Sequence, residues 1–365
     1  MQDIRQPAVA GQFYPAEAEK LKERINTFLN EAEAEKLKGK ARALMVPHAG
    51  YDFSGPVAAY AYKHLKGKEV RHVYILGNSH SSFFEGVAVD DSSAWRTPLG
   101  QVNIDQEVVA QLEEAYSSIS VNEASHKGEH SLEVQVPFLQ TVLSGDFSII
   151  PILFGNTAEG DDYKQLARAI TQNIGKKDVV IISSDMSHFP PYEEANRIDQ
   201  KTLEIIASGD IEELENHVSE VMEQGIPNED TLLCGEDAVK TGMELAHLLN
   251  WDTIKELKYA NSGDNPMVDK DRVVGYGAVI FADSTTEEED IQQQASQAVK
   301  NNPSNIDNPL SPEQRQTLLN IARETVEKYV RIGQKPEYEV KDERLQETEG
   351  AFVTIKKNGE LRGCI

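Results

Sequence analysis

Four short stretches of the chain are almost continuously apolar: ARALMV (41 to 46), VRHVYIL (70 to 76), FSIIPIL (147 to 153) and DVVIIS (178 to 183). Runs of this length and character predict strands buried on both faces, as in a sheet covered by helices on either side. Helix-length segments lie between them, around 56 to 66, 105 to 116, 130 to 143 and 158 to 174. An earlier helix is predicted after Pro15, where Leu21, Ile25, Phe28 and Leu29 fall on one face and Glu and Lys on the others. The alternation predicts an α/β fold with a mostly parallel central sheet and flanking helices. IKELKYA (254 to 260) and VVGYGAVIFA (273 to 282) read as its closing strands, separated by the turn chemistry of NSGDNP.

After Phe281 the pattern stops. Residues 284 to 309 are rich in clustered acids, Gln, Asn and Pro and nearly free of large apolar side chains, so they read as a linker following a first domain at 1 to 283. A new helix is predicted beyond it, with Ser311 as N-cap, Pro312 in the first turn, and Leu318, Ile321, Ala322 and Thr325 on one face. AFVTIKKNGELRGCI then reads as a hairpin about Asn358-Gly359. One helix and a hairpin bury too little surface to stand alone, so 310 to 365 is expected to be a partial α+β unit.

Charge narrows the partners. The chain has 365 residues with 36 Lys and Arg against 61 Asp and Glu, a formal net charge of −25. Such a surface repels nucleic acid and anionic lipid, and neither is expected as a partner. No run approaches the roughly 18 apolar residues of a membrane span, and MQDIRQPAVAGQFYP has no apolar signal core, so a cytoplasmic protein is expected. With only Cys234 and Cys364, in different units, a disulfide framework is excluded.

Three turns share one design, a buried strand followed by a short polar segment with a histidine: MVPHAGYDFSG, ILGNSHSSFFEG and IISSDMSHFPP. They present His48, His80, and the pair Asp185 and His188. Ligands of open α/β sheets bind outside the carboxyl ends of the strands, so these residues are expected to meet in one cleft. Cys234, in TLLCGEDAV, precedes an amphipathic run and is expected near a helix N-terminus, where the dipole favours a thiolate. Imidazole and thiolate together suit iron, copper or zinc rather than magnesium or calcium. His188 suits acid/base work, with Asp185 fixing its tautomer. Glu129 and His130 either line the same cleft or are simple first-turn polar groups, and Tyr51 is expected in core and cleft wall. A single strand-end histidine reads as a hydrogen-bonded structural residue; three such turns in one sheet favour a site. His64, His72, His126, His217 and His247 lack this context and are expected on helix surfaces, strand edges or loops.

The ordered motifs PAVAGQFYP, VPHAGYDFSGPVAAYAY, LGNSHSSFFEGVAV, WRTPLGQV, EHSLEVQVPFLQ, SSDMSH, LCGEDAV and YANSGD resemble the Memo family over residues 4 to 283. That resemblance implies kinship with class III extradiol dioxygenases, which hold non-haem iron by two histidines and a carboxylate. Carried over by motif, His48 and His80 match the histidine ligands, Cys234 stands where the carboxylate would be, and His188, with Asp185 beside it, matches the acid/base histidine. Iron or copper is the implied metal, a redox role on a small substrate the implied activity. The alternative is a non-catalytic module holding a peptide or partner in the same cleft. The C-terminal segment resembles the start of an AMMECR-type domain. The combination is similar to protein B of the AmmeMemoRadiSam system, implying a radical SAM enzyme as partner.

Overall fold

The computed structural model describes residues 3 to 33, 37 to 155 and 161 to 284, with isolated positions between 314 and 364. The chain divides into two compact units, Met1–Ser284 and Thr285–Ile365.

In the first unit the predicted buried runs become β2 (Lys40–Val46), β3 (His72–Asn78), β8 (Ser148–Phe154) and β9 (Val179–Ser183). They lie side by side in the order β8-β3-β9-β2, all parallel. Val73, Ile75, Val180 and Ile182 are wholly buried, as residues of a sheet covered on both faces must be. The predicted closing strands continue past β2, β11 (Gly275–Asp283) pairing antiparallel with β2 and β10 (Thr253–Asn261) antiparallel with β11. The other flank holds short strands that the apolar pattern does not reveal: β1 (Ile4–Arg5), β4 (Val87–Val89), β5 (Ala94–Thr97), β6 (Gly100–Ile104) and β7 (Ile119–Val121). Of these, β6 extends the parallel core next to β8, while β4 pairs antiparallel with it.

Helix α1 (Ala18–Glu31) buries the predicted face of Leu21, Ile25, Phe28 and Leu29. It lies against α2 (Tyr51–Tyr62), which begins five residues earlier than the segment around 56 to 66 suggests. The segment around 130 to 143 is not one helix: a 3-10 turn at Glu133–Gln135 leads into α5 (Val136–Val142). The remaining helices are α3 (Gln106–Ala115), α4 (Glu123–His126), α6 (Asp162–Thr171), α7 (Tyr192–Ser208), α8 (Ile211–Glu223) and α9 (Glu236–Leu249). None of the described helices is long and apolar enough to cross a membrane.

In the second unit, β12 (Thr354–Lys357) and β13 (Glu360–Cys364) pair antiparallel around the predicted turn. Leu318, Ile321 and Thr325 are helical. The linker at 284 to 309 apart from Ser284, together with Ser311, Pro312, Ala322 and the turn residues Asn358 and Gly359, lies outside the described residues.

Candidate metal centre

Because β3, β9 and β2 are adjacent and parallel, the turns after them open on one edge of the sheet. His48 follows β2, His80 follows β3, and the segment Ser184 to His188 follows β9. Cys234 stands just before Gly235, the N-cap of α9. Gly235 is what lets it in: a Cβ there would lie 2.7 Å from the Ser183 carbonyl oxygen and from Ser184 Cβ. The ligand atoms of His48, His80 and Cys234 consequently all lie within 4.8 Å of one another.

The hydrogen bonds decide which ring nitrogens are free. Ser183 Oγ donates its one proton to the Ser131 carbonyl at 2.7 Å and accepts from Gln135 Nε2 at 2.9 Å. His48 Nδ1, 3.0 Å from the same oxygen, must therefore be the donor, which leaves the lone pair on Nε2. That nitrogen lies 3.2 Å from Cys234 Sγ. In His80, Nδ1 lies 3.2 Å from Glu129 Oε1, an acceptor, so Nε2 again carries the lone pair.

Glu129 is the organiser of the His80 side. It is fully buried and accepts the backbone N–H groups of His80 (2.7 Å), Ser81 (3.2 Å), His130 (3.0 Å) and Ser131 (3.0 Å). Burial opposes its ionisation, but the bonds from His80 and from these amides outweigh it and hold the carboxyl well below the usual range. Glu129 is therefore no idle first-turn acid: it lines the cleft, and with His80 and His130 it forms a second group whose ligand atoms lie within 4.8 Å of one another. His130 Nδ1 is 3.3 Å from the same oxygen, and its ring centroid is 4.9 Å from that of His80 and 5.4 Å from that of His48.

A further layer holds this loop in place. Arg5 donates to the carbonyls of His126 and Glu129, each at 2.7 Å, and to Glu133 Oε2 at 2.7 Å. Glu133 in turn accepts from the amides of Ala8 and Val9 and from Tyr14 Oη. Sequence reading missed Ser183, Gln135, Arg5 and Glu133, because their partners are distant in the chain and no local pattern marks them.

Several expectations need correction. Asp185 does not fix the tautomer of His188: its carboxylate accepts the His48 amide at 2.7 Å, with Oδ2 3.9 Å from His48 Nε2, and its own amide donates to Cys234 Sγ at 3.2 Å. His188 Nδ1 is instead 3.0 Å from the Met186 carbonyl, an acceptor, so its Nε2 is the free nitrogen. The backbone just after it is strained, Phe189 having φ +71°. The helix dipole does not prevail at Cys234, whose thiol burial and then the charge of Asp185 push up, so the proton stays unless a stronger electrophile replaces it. The two acids that follow the thiol, Glu236 and Asp237, are engaged elsewhere. Both pair with Lys240, at 3.1 and 3.2 Å, and Asp237 also accepts from Asn78 at the end of β3. Tyr51 lies behind the site, fully buried against Phe138, with its hydroxyl spent on the Val134 carbonyl at 2.6 Å. His72 and His126 are not surface residues. The first is buried between Asp105 and Asp178, and the second is fully buried, its pKa pulled down to about 4 by burial.

The donor set fits a metal. Imidazole and thiolate hold first-row ions at about 2.0–2.3 Å, which requires ligand atoms roughly 3–4 Å apart, as His48 Nε2 and Cys234 Sγ are. Burial and the neighbouring His80, His130 and His188 also keep His48 neutral, the form that ligates.

An open α/β sheet with a strand-end cluster of histidines and a thiol thus defines the class of the first unit. The comparisons make it specific: the model described as Memo-like protein matches residues 5–280, and the chain belongs to that family. A MEMO1 family protein of Sulfurisphaera tokodaii is 38% identical over 295 residues, covering 77% of this chain and 100% of the relative. One from Ignicoccus hospitalis is 36% identical over 289 residues, 76% of this chain and 98% of the relative. One from Nitrosopumilus maritimus is 34% identical over 284 residues, 76% and 99% respectively. The AMMECR1 model matches residues 319–365.

Proposed function

We propose that the first unit binds iron or copper through His48, His80 and Cys234 and performs redox chemistry on a small substrate. The observation that carries this is the fixed pair of tautomers: Ser183 and Glu129 occupy both Nδ1 atoms, so both Nε2 lone pairs remain for the ion. When bound, such an ion supplies one-electron chemistry and Lewis acidity.

The chain's own groups would divide the remaining work. Cys234 contributes the anionic ligand, in the place that a carboxylate holds in the class III extradiol dioxygenases to which the Memo resemblance implies kinship. Asp185 N–H orients that sulfur while Asp185 Oδ1 anchors His48. His188, whose free Nε2 can take up or deliver a proton, is the acid/base group. The AMMECR1 match in the same chain supports a place in the AmmeMemoRadiSam system, with a radical SAM enzyme as partner and the cytoplasm as compartment.

The test is to load the metal-free full-length chain anaerobically with Fe(II) or Cu(I) and count bound metal. About one equivalent is expected, lost in His48→Ala and Cys234→Ala. Undiminished binding in both variants would sink the reading.

A further inference from the structure

We infer that the same unit carries a second binding site, for a phosphorylated small molecule, at the opposite edge of the sheet. There a cavity of about 370 Å³ is lined by Lys40 and Arg42 at the start of β2, Lys68 just before β3, and Lys176 and Lys177 just before β9. In a chain of net charge −25, this concentration of cations reverses the local sign. The two acids in the lining do not cancel it. Asp178 is committed to the amides of Gly175 and His72, at 2.6 and 3.1 Å, and Glu69 meets Lys177 at 3.5 Å with both side chains at least 70% exposed.

Arg42 gives the cavity a built element. Only 8% exposed, its guanidinium is fixed by the Lys176 carbonyl at 2.9 Å and by Asp283 at 3.1 Å. Its Nε is buried with no hydrogen-bond partner among the described residues. That atom is closed off even to a water-sized contact, so Arg42 serves as a fixed positive charge in the wall rather than as a direct donor to the ligand. The lysines add flexible point charges suited to a dianion. The volume exceeds that of phosphate alone, and Leu65 and Val70 supply an apolar wall for the rest of the molecule. This site lies away from the strand ends that bear His48 and Ser183, so it stands independently of the metal reading.

Calorimetric titration of the chelator-treated full-length chain at low ionic strength tests it, with inorganic phosphate and glycerol 3-phosphate as probes. Both should saturate one site, the ester at least as tightly as phosphate. Affinity should fall at least tenfold in the double variant Lys68→Gln with Lys177→Gln, whose side chains are exposed enough to leave the melting temperature unchanged. Arg42→Gln should weaken binding too, though the loss of its structural bonds makes the lysine pair the decisive variant. Absence of saturable binding, failure of the ester to bind, or undiminished affinity in the lysine variant each overturns the proposal.

Discussion

Ser183 Oγ lies 3.0 Å from His48 Nδ1 and, with its only proton given to the Ser131 carbonyl, accepts the ring's proton. The last residue of one strand thus sets the tautomer of a histidine that follows the next. Ser183→Ala should weaken metal binding roughly 10- to 100-fold, the usual effect of removing an outer partner of a ligating histidine. It should also cost about 1–3 kcal/mol of stability through the unsatisfied Gln135 and Ser131 groups. Competition against a chelator and chemical unfolding measure the two effects; Ser183→Thr, which keeps the hydroxyl, should recover most of the affinity.

Glu129 predicts an acid limb. Its carboxyl is held below its unfolded value by His80 and the loop amides. The native state therefore binds fewer protons than the unfolded chain at low pH, so stability falls as pH drops below about 4 to 5. Glu129→Gln should flatten this limb in urea unfolding between pH 3 and pH 6 and loosen the His80 loop. An unchanged limb would show that the carboxylate contributes nothing to it.

Asp199 predicts the opposite slope. Burial pushes its carboxyl up to about 7, although it accepts from Ser187 N and Oγ and from Tyr259 Oη. Between roughly pH 4, where the unfolded aspartate titrates, and pH 7 the native state holds the extra proton, so this residue's contribution declines as pH rises. Asp199→Asn should remove that decline, which unfolding of both proteins at pH 5 and pH 8 will show. Because Asp199 holds Ser187, the protection of amides in the turn bearing Asp185 and His188, corrected for the intrinsic pH dependence of exchange, should be lower at the higher pH in the parent and unchanged in Asp199→Asn.

Gly235→Ala tests how Cys234 reaches the site. The added methyl would sit 2.7 Å from the Ser183 carbonyl oxygen, so α9 must shift. The expected cost is about 1–3 kcal/mol of stability, the range for overpacking, together with weaker metal binding. Loss of stability alone, with metal affinity intact, would mean that the position of Cys234 tolerates the shift.

The parallel core was legible in the sequence because β2, β3, β8 and β9 are continuous apolar runs, a pattern only a doubly covered sheet requires. Strands β1, β4 and β7 were not, being two or three residues long and defined by pairing rather than composition. The strand-end histidines could be read from their position, but their supports could not. His48 and Cys234 meet across 186 residues and Arg5 reaches Glu133 across 128. The direction of Asp185 was misread for the same reason: sequence adjacency suggested His188, whereas the turn out of β9 aims the carboxylate at the amide after β2.

The ligand set itself is the central claim, and X-ray absorption at the metal edge tests it most directly. Anaerobically loaded protein should show one sulfur scatterer at about 2.3 Å together with imidazole nitrogens at about 2.0–2.1 Å, with the sulfur lost in Cys234→Ser. A spectrum with only nitrogen and oxygen neighbours, identical in Cys234→Ser, would contradict it.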